Sequence, residues 1–231
     1  VNNNNTNFVA WCFAGGGPAV ANTAGDITSQ VSANNDYGFS IVKWTNNGSN
    51  TPSDHQVGHG LNGTPDLVIV KNISTTSDWA VYSERFSNPV RDELYLSNTN
   101  AKATAGVDLY YRDSTTVGFR GSSIGSSGNE QVAYCWKEVS GYSKISTYAG
   151  TGANGNKQTV GFKPRWVLIK GTDSTYEWQI FDSERNPSNP RNLKLEPNTS
   201  DTEASTGNNV SFHNDGFSFN TNSDKLNGSS K

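Results

Sequence analysis

The chain has 231 residues, room for two cores of ordinary size, and a formal net charge of −3 with charged residues at only 17%. That balance offers no basic field to a nucleic-acid backbone, and no apolar run reaches the roughly 18–20 residues of a membrane-spanning helix. Asn, Ser, Thr and Gly dominate and Met is absent, yet six Trp, nine Tyr and ten Phe call for packed cores rather than disorder.

An Asn tract opens the chain and leads into Phe8, Val9, Ala10, Trp11, Cys12 and Phe13, a strand-like run. Gly15 to Pro18 must then be a loop, since nothing regular tolerates that sequence. Ile27, Ser29 and Val31 alternate with polar residues as in a short strand, and a turn is expected at Asn34-Asn35-Asp36. Phe39, Ile41 and Val42 lead to Trp44 and a second turn at Asn46-Asn47-Gly48. Leu67 to Lys71 is nearly unbroken in apolar character, the pattern of a strand covered on both faces. After a Ser/Thr/Asp loop comes the aromatic strand Trp79 to Tyr82, and the two together predict a hairpin. The polar trio Ser83-Glu84-Arg85 follows, then Asn88-Pro89. A closing strand is expected over Val132, Ala133, Tyr134, Cys135 and Trp136.

Much of this is then said again. Pro65, Leu67 to Lys71, Trp79, Val81 and Tyr82 return 99 positions later as Pro164, Trp166 to Lys170, Trp178, Ile180 and Phe181. Leu94-Tyr95-Leu96 matches Leu193-Lys194-Leu195 at the same spacing, and Gly118-Phe119 matches Gly216-Phe217 at 98. Tyr37 to Trp44 answers to Gly141 to Tyr148, and Ser183-Glu184-Arg185 with Asn186-Pro187 answers to the first polar trio. A period this long points to a duplicated domain rather than a solenoid unit. The expected fold is all-β: two tandem antiparallel β-sandwich repeats related by internal duplication. Residues 1–36 form a closing strand and Gly-rich connector, 37–138 the first repeat and 139–231 the second, which lacks its own last strand. Counting on from Phe217 by the distance that separates Phe119 from the first closing strand reaches Ser230. Either the sequence is cut from a longer chain, or residues 8–13 complete the second repeat, within one molecule or between neighbours. Pairing is expected against the segment near Phe217 to Phe219, because an uncovered sheet edge is a hazard.

Catalytic constellations are missing from the pattern, and the chain reads as a non-enzyme. Glu84 and Glu184 are the carboxylates a glycosidase would need. The simpler reading pairs each Glu and Arg to brace a long loop. His55, His59 and His213 stand beside no nucleophile, and Phe162 takes the place near His59 in the second repeat, which favours packing. The triple Gly at 15–17 opens no helix, so the dinucleotide fingerprint lacks its context. Asp108, Asp113, Asp215 and Asp224 fall in turn-rich segments without EF-hand spacing, where solvated turn formers are the default reading and a structural calcium ion the alternative. Cys12 and Cys135 hold the same place in their strands and are expected as buried free thiols, with a disulfide as the alternative. Neither has a second Cys or His at ligand spacing, so no metal and no cofactor is expected. Exposed rings could make a sugar platform, with Trp44, Tyr110, Tyr111 and Tyr176 as candidates, although each is also a candidate for packing.

Taken together, Phe8 to Phe13, Gly38-Phe39-Ser40-Ile41-Val42, Gly58-His59-Gly60-Leu61 through Lys71, Val132 to Cys135, Gly141-Tyr142-Ser143-Lys144 and Gly161 to Lys170 resemble a known family. It is an uncharacterised tandem β domain of tail-fibre-like and other structural proteins of marine and cyanobacterial bacteriophages, and the resemblance covers nearly the whole chain. It implies a virion component at the particle surface, in a tail fibre, surface appendage or capsid decoration, with a host-adhesion or assembly role. The implied partners are other virion subunits, copies of this chain among them as a homo-oligomer, and a host surface glycan. The alternatives are a lectin-like extracellular module and, less favoured, a glycan-degrading enzyme. Phe8, Val9, Ala10, Trp11, Cys12 and Phe13 are the candidates for an inter-subunit strand.

Overall fold

Period-two alternation and dense turn residues produce short antiparallel strands almost throughout. The computed structural model describes residues 7–120 and 125–229; the Asn tract at 1–6 and Ser230 lie outside them. The first strands are β1 (Val20–Asn22), β2 (Ser29–Asn34) and β3 (Phe39–Thr45). A single 3-10 turn at Pro52–Asp54 precedes β4 (Gln56–Gly58). Then come β5 (Leu67–Asn72), β6 (Ala80–Ser83), β7 (Asp92–Tyr95), β8 (Ala103–Thr104), β9 (Tyr110–Arg112), β10 (Thr116–Phe119) and β11 (Glu130–Trp136). The carboxy-terminal part holds β12 (Asn156–Thr159), β13 (Trp166–Ile169), β14 (Gln179–Asp182), β15 (Arg191–Lys194), β16 (Ala204–His213) and β17 (Gly216–Phe219). One helical turn, α1 (Asp224–Asn227), follows. The fold is all-β with several antiparallel sheets, and no helix among the described residues is long and apolar enough to cross a membrane.

The largest sheet runs β1-β2-β3-β11-β5-β6-β7-β8. β11, last of these in sequence, lies between β3 and β5 and pairs along its full length with β3. Its alternation explains the position: Ala133 and Cys135 are fully buried and small enough for the middle of a core, while Val132, Tyr134 and Trp136 face the other way. The second sheet, β4-β10-β9, lies across the inner face. Between them Trp44 stacks on Phe119 at 5.5 Å and Tyr82 stacks on Tyr110 at 5.0 Å, among Val42, Val57, Val68, Val70 and Val117. Each such aromatic or aliphatic side chain contributes roughly 1.5–3 kcal/mol by leaving water.

In the carboxy-terminal part, β12-β17-β16-β15 and the β13–β14 hairpin enclose a smaller core of Ile169, Phe181, Val210, Phe212, Phe219 and Leu226. Ile180 and Leu195 bridge the two sheets. A third cluster joins the two parts of the chain. Leu168 and Trp178 pack on Ile69, Val81 and Leu94, which lie on the outer face of the large sheet, and the Trp178 indole donates to the Tyr95 carbonyl at 2.8 Å. β5 is therefore apolar on both faces for the expected reason: Val68 and Val70 fill the inner core and Leu67 and Ile69 the outer one.

Three expectations need correction. No strand forms over Phe8 to Phe13, and β17 has no place for one, because β12 and β16 flank it on both sides. The stretch 141–148 is likewise not a strand, although Tyr37 to Trp44 supplies β3. β3 is held by β2 on one side and β11 on the other, and 141–148 has no β11 beside it. Cys12 is exposed and only Cys135 is buried, and both are free thiols.

Candidate assembly interface

The β5–β6 and β13–β14 hairpins share one register. Leu67, Val68, Ile69 and Val70 face Ser83, Tyr82, Val81 and Ala80, and adding 99 to every number gives the pairs of the second hairpin. Their outer edges differ. β5 is covered by β11 from Leu67 to Asn72, whereas β13 pairs only with β14 among the described residues.

Hydrogen-bond parity fixes what that edge presents. Ile180 exchanges both backbone hydrogen bonds with Leu195, at 2.9 and 3.2 Å, so its polar groups face away from β13. Its partner across the hairpin, Leu168, therefore sits in a pair without mutual bonds, with its own N–H and C=O turned to the open side; the alternation extends this to Trp166 and, continued one residue past the strand, to Lys170. In the covered hairpin the corresponding groups of β5 bond to β11, as the 2.9 Å bond from Ile73 N–H to the Glu130 carbonyl illustrates at its end. Burial records the same difference. Val68 is fully buried, but Val167 stays partly exposed, and the Trp166 indole nitrogen is buried without a hydrogen-bond partner among the described residues. An open edge of this kind is a template for another strand.

The amino-terminal arm passes beside this edge without joining it. Gly15 to Gly17 are fastened to β2: Ser32 Oγ accepts from the Gly16 N–H at 3.0 Å and donates to the Gly17 carbonyl at 2.7 Å, and Asn34 reaches the Gly15 carbonyl. Gly16 must be glycine, because a Cβ there would lie 1.8 Å from the Ala33 carbonyl oxygen. Phe13 then contacts Phe39, Trp136 and Trp166 at ring distances of 5.4, 5.7 and 6.2 Å. Trp11 has already reached β14, where its indole donates to Asp182 Oδ2 at 3.3 Å under the Arg185 guanidinium. Burial works to raise the Asp182 pKa, but the Arg185 N–H, its guanidinium and the Trp11 indole outweigh that and hold the carboxyl below its ordinary range. Phe8, Val9, Trp11 and Phe13 remain 36–58% exposed.

The polar groups elsewhere brace the scaffold. Glu84 pairs bidentately with Arg112 rather than with its neighbour Arg85, which instead bonds Asp66 and Glu138. Glu184 meets the exposed Arg165, while Arg185 joins Asp182 to Glu203. The pairing of Glu with Arg expected within each trio does not form: Glu84, Arg85 and Glu184 take partners distant in sequence, and Arg185 takes Asp182, three residues before it, together with Glu203. His55 is fully buried; its Nε2 accepts from the Trp44 indole at 3.0 Å and its Nδ1 donates to Asn47 Oδ1 at 3.0 Å. His59 accepts from the Leu61 N–H and reaches the Asp113 carbonyl. No group of three or more His, Cys, Asp or Glu among the described residues is placed to hold a metal ion.

Of the rings singled out for sugar stacking, Trp44 and Tyr110 are 3% and 2% exposed and turned into the first core, so neither offers a face to a ligand. Tyr111 is half-buried and donates to Asp113 Oδ2 at 3.1 Å; Tyr176 is half-buried against Gly171. The four are not brought together. The rings that do gather are not among those four: Trp79 and Tyr134 lie nearly parallel at 6.2 Å beside an open groove that includes Lys71, Asn72, Ile73 and Ser74. The alternation of Val132, Tyr134 and Trp136 against Ala133 and Cys135 was the available signal, since it places the large rings on the face opposite the core.

Across residues 1–231 the chain matches the family model described as a domain of unknown function, DUF7483. No curated protein and no solved structure matches it. The chain belongs to the DUF7483 family.

Proposed function

We propose that this DUF7483 member is a structural module of a virion surface, part of a tail fibre, appendage or decoration, that works by assembling with other subunits. On this reading the chain is two β-sandwich units made by internal duplication, and the shared register of the two hairpins supports that descent. The observation that carries the assembly role is the open edge of β13 beside an exposed apolar arm, a combination that isolated soluble domains usually cover or break with charge. The resemblance to phage structural proteins supplies the virion setting. The charged side chains also pair with one another instead of converging on a cleft, which supports a non-enzymatic role.

Sedimentation of the full chain over a wide concentration range tests the role. Concentration-dependent oligomers are expected, and a monomer at every concentration would overturn it. A second, glycan-binding reading is favoured by Trp79 and Tyr134, whose neighbouring rings beside the open groove suit the apolar face of a pyranose. Binding on a glycan array that is lost in Trp79→Ala and Tyr134→Ala would establish it; an empty array would remove it.

A further inference from the structure

We propose that the open edge of β13 accepts residues 8–13 of a second copy of this chain as an added antiparallel strand, joining copies head to tail. The inference rests on the assembly role and the duplication proposed above. β11 shows what kind of strand fits. Val132, Ala133, Tyr134, Cys135 and Trp136 cover β5, and the arm carries Val9, Ala10, Trp11, Cys12 and Phe13 in the same order of types. Trp136 faces Leu67 and Tyr134 faces Ile69, so the corresponding register sets Phe13 against Trp166, Trp11 against Leu168 and Val9 against Lys170. Trp166 and Leu168 are the positions of β13 whose N–H and C=O groups face outward, and Lys170, the residue after the strand, continues their alternation, so on this register all three pairs exchange hydrogen bonds. Ala10 and Cys12 then turn inward toward the smaller core, as the fully buried Ala133 and Cys135 do in the larger one, and close over the partly exposed Val167. Main-chain bonds supply affinity and the alternating side chains supply register, as in other cases of strand addition.

The arm of the same chain is routed away from this slot. Phe13 touches Trp166 at the end of β13, but Trp11 lies at Asp182 and Arg185, on the β14 side and not on the open side. Its hold there is slight: one hydrogen bond of 3.3 Å and one ring–guanidinium contact at 5.9 Å, on an exposed segment. Releasing residues 8–13 gives up that hold together with the three ring contacts of Phe13, and exchanges them for a full ladder with a neighbour, while Gly15 to Gly17 stay anchored on β2.

Parity supplies the test. In the added strand the N–H of Val9 faces β13 and that of Ala10 faces away, and proline is tolerated only where no ladder bond is donated. Full-length Val9→Pro and Ala10→Pro are compared with the parent by sedimentation velocity, with circular dichroism to confirm the fold; both positions lie in an exposed segment outside any strand. Val9→Pro is expected to weaken self-association about tenfold or more, and Ala10→Pro by less than about twofold. Separately, Cys12 faces Val167 in a pair without mutual bonds, where Cα atoms lie about 4.5 Å apart, close enough for a disulfide. Oxidised Val167→Cys should therefore run as a ladder of multimers on a non-reducing gel. Equal effects of the two prolines, a purely intramolecular cross-link, or no cross-link each overturn strand exchange between copies. Oligomers indifferent to Val9→Pro would sink this inference alone, whereas a monomer throughout would sink the assembly role as well.

Discussion

Acid should loosen this protein well above the range in which its carboxylates protonate, and His55 is the main cause. Burial lowers its pKa from 6.5 to about 4, with the Asp26 charge opposing. The geometry explains why protonation is resisted: Nε2 already accepts the Trp44 indole proton, so a second proton there would set two donors against each other. Because the folded pKa lies below the unfolded one, the unfolded chain takes up the proton first as pH falls. Stability is then fully present above about pH 6.5, declines as pH falls toward 4, and levels off below that. The full difference is at most about 3 kcal/mol, and between pH 7 and 4.5 roughly 2 kcal/mol of it is lost. His59, lowered by burial, adds in the same direction, and Glu93, raised by burial, opposes in part. The assay is urea unfolding at a series of pH values, with the His55 ring followed by NMR. His55→Gln should flatten most of the slope whatever it does to stability at pH 7. A His55 titration near 6.5, or an unchanged slope in the variant, would refute the reasoning.

Three further outcomes are expected. A thiol reagent should modify Cys12 quickly in the native protein and Cys135 only after unfolding, because Cys12 is exposed while burial pushes the Cys135 thiol up to about 12; two fast thiols would contradict the packing of β11. Glu84→Gln should destabilise by about 1–2 kcal/mol in denaturant melts, since Glu84 and Arg112 are only 23% and 18% exposed, whereas Glu184→Gln, in a pair about four-fifths exposed, should stay within about 0.5 kcal/mol. Gly118→Ala places a Cβ 2.0 Å from the Pro52 carbonyl oxygen and should cost about 3 kcal/mol or more, while Gly106→Ala, with nothing within 4 Å, should be close to neutral by the same melts.

The sequence by itself determined the strands of the two hairpins, because both are written in local signals: an unbroken apolar run, a polar loop, then an aromatic alternation. It also settled that β5 is covered on both faces, since Leu67 and Ile69 are as apolar as Val68 and Val70. Residues 8–13 carry an equally good strand pattern and form none, because a strand exists only when a neighbour accepts its backbone bonds, and pairing is a property of the whole sheet. The same dependence leaves 141–148 irregular where β3 is regular. Only the tertiary structure decided that Trp44 and Tyr110 are core rather than surface, that Glu84 answers to Arg112, and that the uncovered edge belongs to β13 and not β17. Those outcomes turn on contacts between residues far apart in the chain, and no local period or spacing encodes them.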